Sequence, residues 1–197
     1  MEIFFLLTLA HLLTDYPLQT NWVYQQKTRG FMSGIYHSGT LLLSHLLLLF
    51  PYLGDTRISI ALIGIAALHH VQDYIKVELF DNKGRLILFG YVLDQVMHFT
   101  IFALLAWATS SYFMPLPVAN MDYVFWYHDP LFSGYFILLI MATFGWEITA
   151  FVRRRDKDAS LIFHRNYPRM AMRGLLLTIG YIAYLYFVKD SLLVLFL

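Results

Sequence analysis

The stretch Leu86-Ile-Leu-Phe-Gly-Tyr-Val-Leu-Asp94-Gln95-Val-Met-His98-Phe-Thr-Ile-Phe-Ala-Leu-Leu-Ala-Trp-Ala-Thr-Ser110 decides how the rest of the chain is read. It holds no Lys, Arg or Glu. As a helix rising 1.5 Å per residue, it is long enough to cross the roughly 30 Å hydrocarbon layer of a bilayer. Yet Asp94 and His98 lie inside it, four residues apart. That spacing places both side chains on one helix face, one turn apart. Ionisable groups inside a membrane span are costly, and they usually mark function.

Five further apolar stretches flank it, at 3–22, 31–53, 58–76, 131–152 and 170–188. The expected fold is all-α, a polytopic membrane bundle of about six transmembrane helices. Residues 1–197 form a single integral membrane domain, divided into a motif-bearing half (1–110), an interfacial aromatic loop (111–130) and two further helices (131–197). Composition agrees, with 59% hydrophobic and 14% charged residues against about 25% charged in soluble domains. Pro17 disfavours helical geometry at Tyr16, so the first helix is expected to stop or kink near Asp15. Glu2 and the lack of an early Lys or Arg argue against a cleaved leader.

A net charge of +1 makes no case for nucleic-acid binding. The absence of cysteine excludes disulfides, Cys-ligated zinc and iron–sulfur clusters. The loop after span one carries Lys27 and Arg29. That after span three carries Lys76, Lys83 and Arg85. That after span five carries Arg153, Arg154, Arg155, Lys157, Arg165 and Arg169. The loop after span two has Arg57 alone, and the loop after span four has no basic residue. Basic loops stay in the cytoplasm, so both termini are expected outside it. Tyr112, Phe113, Tyr123, Phe125, Trp126 and Tyr127 suit an interfacial belt.

The polar residues inside the spans follow a pattern. Span one holds His11 and Asp15, span two His37, span three His69 and Asp73, and span four Asp94 and His98. With the topology above, all lie roughly 5–18 Å from the cytoplasmic ends of their helices. Neutral imidazole and carboxylate are ligands for zinc first, with iron or manganese as alternatives. Seven candidate metal ligands result: His11, Asp15, His37, His69, Asp73, Asp94 and His98. They are enough for one ion with orienting partners, or for two ions. Asp15, Asp73 and Asp94 are the candidate catalytic carboxylates. Gln19, Lys76 and Gln95 are candidate supporting or substrate-contacting groups. Lys76 is expected to pair with Asp73 or to meet lipid phosphate, and Glu147 with Arg153–Arg155. His70 should point away from His69 and pack, His45 fits either role, and His128 and His164 belong to loops. His11-x3-Asp15-Tyr16 and His69-x3-Asp73-Tyr74 also match as a short repeat, compatible with a parallel duplication of the first two hairpins.

The motifs His11-Leu-Leu-Thr-Asp15-Tyr-Pro-Leu-Gln19-Thr-Asn-Trp22, His37, His69-His-Val-Gln-Asp73-Tyr-Ile-Lys76 and Asp94-Gln95-Val-Met-His98 resemble a bacterial membrane family catalogued as domain of unknown function 3307. Tyr16 stands where that pattern has Phe. The resemblance covers about the first half of the chain and implies that these residues occupy the family's motif positions. It also implies a bacterial cytoplasmic membrane, and it brings no established activity.

The reading that follows is an intramembrane metal-binding protein. As an enzyme, it would be a metal-dependent hydrolase acting on a lipid or lipid-linked substrate near the cytoplasmic leaflet. Membrane lipids and a small lipid-like molecule are the expected partners. The alternatives are a metal-ion or proton transporter, and a non-catalytic membrane subunit whose polar groups only join helices.

Overall fold

The computed structural model describes residues 2–109 and 129–187. The aromatic residues at 112–127, His128 and the last residue of the expected sixth span lie outside the described residues. Within them the chain is all helical.

Helix α1 (Glu2–Asp15) ends one residue before Tyr16, where Pro17 has no N–H to continue the ladder. The carbonyls just past its end are taken up by a side chain. Arg165 donates to the backbone oxygens of Tyr16, Pro17 and Gln19 at 3.1, 3.4 and 2.8 Å. A guanidinium at a helix C-terminus also meets the negative end of the helix dipole. The expected span 3–22 is therefore two pieces. A separate helix, α2 (Asn21–Arg29), starts at Thr20, whose hydroxyl accepts from the Val23 N–H.

Helices α3 (Ile35–Leu48), α4 (Thr56–Lys76) and α5 (Ile87–Thr109) follow. Asp55 caps α4 and is held below the usual carboxylate range by hydrogen bonds from Arg57. After Lys76 the helix widens into a π turn, Val77–Asp81. It is folded onto the start of α5 at Gly90, where a Cβ would come within 2.5–2.8 Å of Phe80. Helices α6 (Pro130–Ile140) and α7 (Trp146–Arg155) are joined by a second π turn, Met141–Gly145, and α8 (Tyr167–Phe187) completes the described chain.

Among the described residues, four helical stretches are long and apolar enough to cross a membrane: Thr56–Asp81, Ile87–Thr109, Pro130–Arg155 and Tyr167–Phe187. Helices α1 and α3, at 14 residues each, are shorter than the spans expected at 3–22 and 31–53. The bundle's exterior is apolar. Leu47, Ile60, Leu104, Trp107, Leu175 and Leu176 are all exposed. A water-facing surface tolerates few such patches, and hydrocarbon is their natural solvent.

Helix α1 sits at the centre. It packs on α3, α5 and α6. One apolar cluster joins Leu6 and Leu7 to Leu41, Leu49, Tyr52, Leu62 and Phe102. A second joins Leu9, Leu12 and Tyr16 to Ile140. The two ends of the bundle differ. At one end Glu2 accepts a hydrogen bond from Tyr52. At the other, Arg165 of the 156–166 connection meets the segment after α1, and Leu88 N–H donates to Asp156, just past the end of α7.

Candidate metal centre

The helix breaks and starts at this second end present polar side chains to one another. Helix α1 offers His11 and Asp15 from its last two turns, and α3 offers His37 from its first. Helix α4 offers His69 and Asp73 from its last two turns, and α5 offers Asp94 and His98. All seven are buried, with Asp15 the most exposed at 8%. They form one continuous network.

Its heart is four atoms from three helices. His37 Nε2 lies 3.1 Å from Asp15 Oδ1 and 3.3 Å from Asp73 Oδ2. His69 Nε2 lies 3.0 Å from Asp73 Oδ2 and 3.8 Å from Asp15 Oδ1. The two Nε2 atoms are 3.0 Å apart. A tetrahedral zinc site with bonds of about 2.0–2.1 Å has ligand–ligand edges of about 3.3–3.4 Å. The five separations bracket that edge, and among these donors Asp15, His37 and His69 form a group that could hold a metal ion.

Other groups stand behind these four. His69 Nδ1 meets His98 Nε2 at 2.6 Å, and His98 Nδ1 faces Asp94 Oδ1 at 3.7 Å. His11 Nε2 lies 3.5 Å from Asp15 Oδ2 and 3.4 Å from Gln95 Oε1. Gln95 donates from Nε2 to Asp15 and to Asp94, both at 3.3 Å. His11, His69 and His98 make a second group with ring nitrogens close enough to share an ion.

The charges do not balance within the network. Lys27 Nζ sits 2.5 Å from Asp73 Oδ1, and Lys76 Nζ 3.3 Å from Asp94 Oδ2. Asp15 meets only imidazoles and the Gln95 amide. Among the described residues no Lys or Arg pairs with Asp15, so its charge is left to the imidazoles or to a bound ion. A bound cation would remove the imbalance.

Several expectations change here. Lys76 pairs with Asp94 on the adjoining helix and not with Asp73. Lys27, counted in the sequence only as a basic loop residue, is the partner of Asp73 and only 5% exposed. The Thr20 cap, with Val23 and Lys27 one turn apart on the buried face of α2, is the signal that could have found it. Glu147 pairs with Arg173 of α8 at 2.7 Å, not with Arg153–Arg155. Gln19 stands in the wall of a neighbouring cavity, whereas Gln95 is inside the network. His70 turns away as expected, bonded to Ser38 and packed on Phe31. His45 is buried outside the network, its Nδ1–H donating to the Leu41 carbonyl, and His164 is exposed.

The cavity, about 100 Å³, opens beside Asp15. Of the four central residues, Asp15 alone lines it. Tyr16, Tyr24, Lys27, Lys76, Tyr91 and Arg155 contribute polar wall, and Phe151 and Phe163 apolar wall.

Fold and site thus define a helical protein with an apolar exterior, membrane-like helices and a buried His/Asp cluster able to hold a metal ion. The chain belongs to the family described as protein of unknown function (DUF3307), whose match spans residues 3–125. No curated protein and no solved structure matches the chain.

Proposed function

We propose that the protein is an intramembrane metal-dependent hydrolase. In this reading a divalent ion, zinc first and iron or manganese otherwise, is held by His37, His69 and Asp73, and Asp15 shares the position open to the cavity. One observation carries the proposal. Four donor atoms from three helices lie at separations of 3.0–3.8 Å, and of their two carboxylates the one that pairs with no lysine lines a cavity.

A bound ion would supply Lewis acidity and an activated water. The remaining work falls to side chains. Lys27 fixes Asp73 through the oxygen turned away from His37 and His69. His98, backed by Asp94, orients the His69 ring from behind, the usual role of a group hydrogen-bonded to a ligating imidazole. Asp15, steadied by Gln95, takes the proton from water entering through the cavity. Polar walls near the helix ends and apolar walls beside them suit an ester at the membrane surface, so the substrate is a lipid or lipid-linked molecule. The basic loops put this end of the bundle in the cytoplasm, both termini outside it, and the chain in a bacterial cytoplasmic membrane with about six spans.

A second reading, proton transfer, is favoured by the run of ring nitrogens from His37 to His69 to His98 at 3.0 and 2.6 Å. Transport across the bundle would need that run to continue. Towards Tyr52 the interior is instead filled by Leu6, Leu7, Leu41, Leu62 and Phe102.

Elemental analysis of the detergent-purified protein separates the two. Stoichiometric zinc, iron or manganese is expected, with loss in Asp73→Asn and His69→Gln variants that keep their helical circular dichroism. Folded wild type that takes up no metal on reconstitution would sink the hydrolase and leave proton transfer.

A further inference from the structure

Three cations, Lys27, Lys76 and Arg155, line the cavity against two carboxylates, Asp15 and Asp81. Lys27 and Lys76 each present a three-donor ammonium to it, and each carboxylate contact leaves donors unused. Arg155, at the end of α7, lines it as well. Its Nη1 donates to the Tyr24 hydroxyl at 2.5 Å and lies 3.9 Å from Asp81, so the other edge of the guanidinium is uncommitted by these contacts. A planar five-donor fork suits a tetrahedral oxyanion, and two ammonium groups nearby add to that preference. Phe151 and Phe163 stand beside these cations, their rings 5.1 Å apart. The space has room for a small oxyanion and the first atoms of its alcohol, not for a whole lipid.

We infer that this cavity receives the phosphate of an amphiphilic phosphoester, with Arg155, Lys76 and Lys27 as its anion-binding groups and Phe151 and Phe163 against its hydrocarbon. The inference rests on the hydrolase reading and narrows its substrate from an ester to a phosphoester. In the reaction so defined, water oxygen bonds to phosphorus and the bond from phosphorus to the alcohol oxygen breaks. A water proton passes by way of Asp15 to the departing alcohol. No oxidant or reductant is needed. Arg155, Phe151 and Phe163 all lie beyond the family match at 3–125. Helix α7 and the following connection therefore select the substrate, and the first half holds the chemistry.

The test uses the full chain in an uncharged maltoside detergent, titrated with inorganic phosphate and with decyl phosphate and followed by ³¹P line broadening. Both should bind, decyl phosphate at least tenfold more tightly. Arg155→Gln should weaken both tenfold or more with metal content unchanged. Phe163→Ser should abolish the preference for decyl phosphate while inorganic phosphate binds as before, which keeps the test alive if Arg155→Gln does not fold. No saturable binding to wild type, or equal binding by wild type and Arg155→Gln, overturns the inference while leaving the metal centre standing. Equal affinity for the two probes overturns the amphiphile and makes free phosphate the occupant. Arg155-dependent phosphate binding in a protein that holds no metal overturns the hydrolase and leaves the phosphate site.

Discussion

In α1 the pattern His11-x3-Asp15-Tyr16 ends at a helix break. In α4 the pattern His69-x3-Asp73-Tyr74 sits in a helix that runs on into a further turn. The two copies bring their carboxylates to the same centre, within reach of the same His37. Asp73 is anchored there by Lys27 from α2. Asp15 makes no ion pair with a lysine or arginine among the described residues and lines the cavity. Tyr16 is buried and hydrogen-bonded to Tyr91, whereas Tyr74 lies at the outside against Phe31. The four-residue spacing sets the distance within each pair. What stands opposite each pair sets its role, and that comes from another helix.

The comparison is sharpest at the carboxylates. Asp15→Asn should reduce hydrolysis of a phosphoester by about 10²–10⁴-fold, the usual contribution of a general base, with unfolding scarcely changed. Steady-state rates beside a denaturant titration would show this, and an equal loss of stability in Asp15→Asn and Asp73→Asn would erase the distinction. On the anchored side, Lys27→Met leaves Asp73 buried without its cation and should lower stability by about 3–5 kcal/mol, measured by unfolding in detergent. A cost under about 1 kcal/mol would mean that Lys27 is dispensable to that pair.

The histidines differ next. His98→Ala removes the partner behind His69 and should weaken metal binding by about 10–100-fold in competition with a chelator. His11→Ala, whose Nε2 faces the outer oxygen of Asp15 and Gln95, should weaken it less. The reverse order would shift the ion towards the His11, His69 and His98 group. The tyrosines give the smallest effect. Tyr16→Phe should cost about 1 kcal/mol, the worth of one buried hydrogen bond, and Tyr74→Phe close to nothing in the same unfolding measurement.

Much of this was legible from residue order alone. Apolar runs with polar groups four apart located α4 and α5 to within a few residues, because length and spacing are local properties. Pro17 marked the end of α1. The four-helix convergence of His11, Asp15, His37, His69, Asp73, Asp94 and His98 followed from counting residues to the helix ends. What escaped was settled by packing across the bundle. Lys27 reads as a loop charge until α2 folds back over Asp73. Lys76 reads as a partner for the carboxylate one turn behind it, yet α5 brings Asp94 closer. Glu147 finds Arg173, on a helix whose approach no local signal encodes.

The central place of α1 has a consequence for biosynthesis. Its 14 residues give a rod of about 21 Å, shorter than the hydrocarbon layer, and it carries Asp15 and His11. An Asp within a helix is penalised by some 2.5–3.5 kcal/mol on insertion into hydrocarbon when it has no partner. The helices that enclose α1 include α6, which the ribosome makes more than a hundred residues later. Helix α1 therefore has to wait, shallow or shielded by the insertion machinery, until its later partners arrive. Chains truncated before Pro130 are then expected to be degraded rather than to accumulate as a smaller bundle.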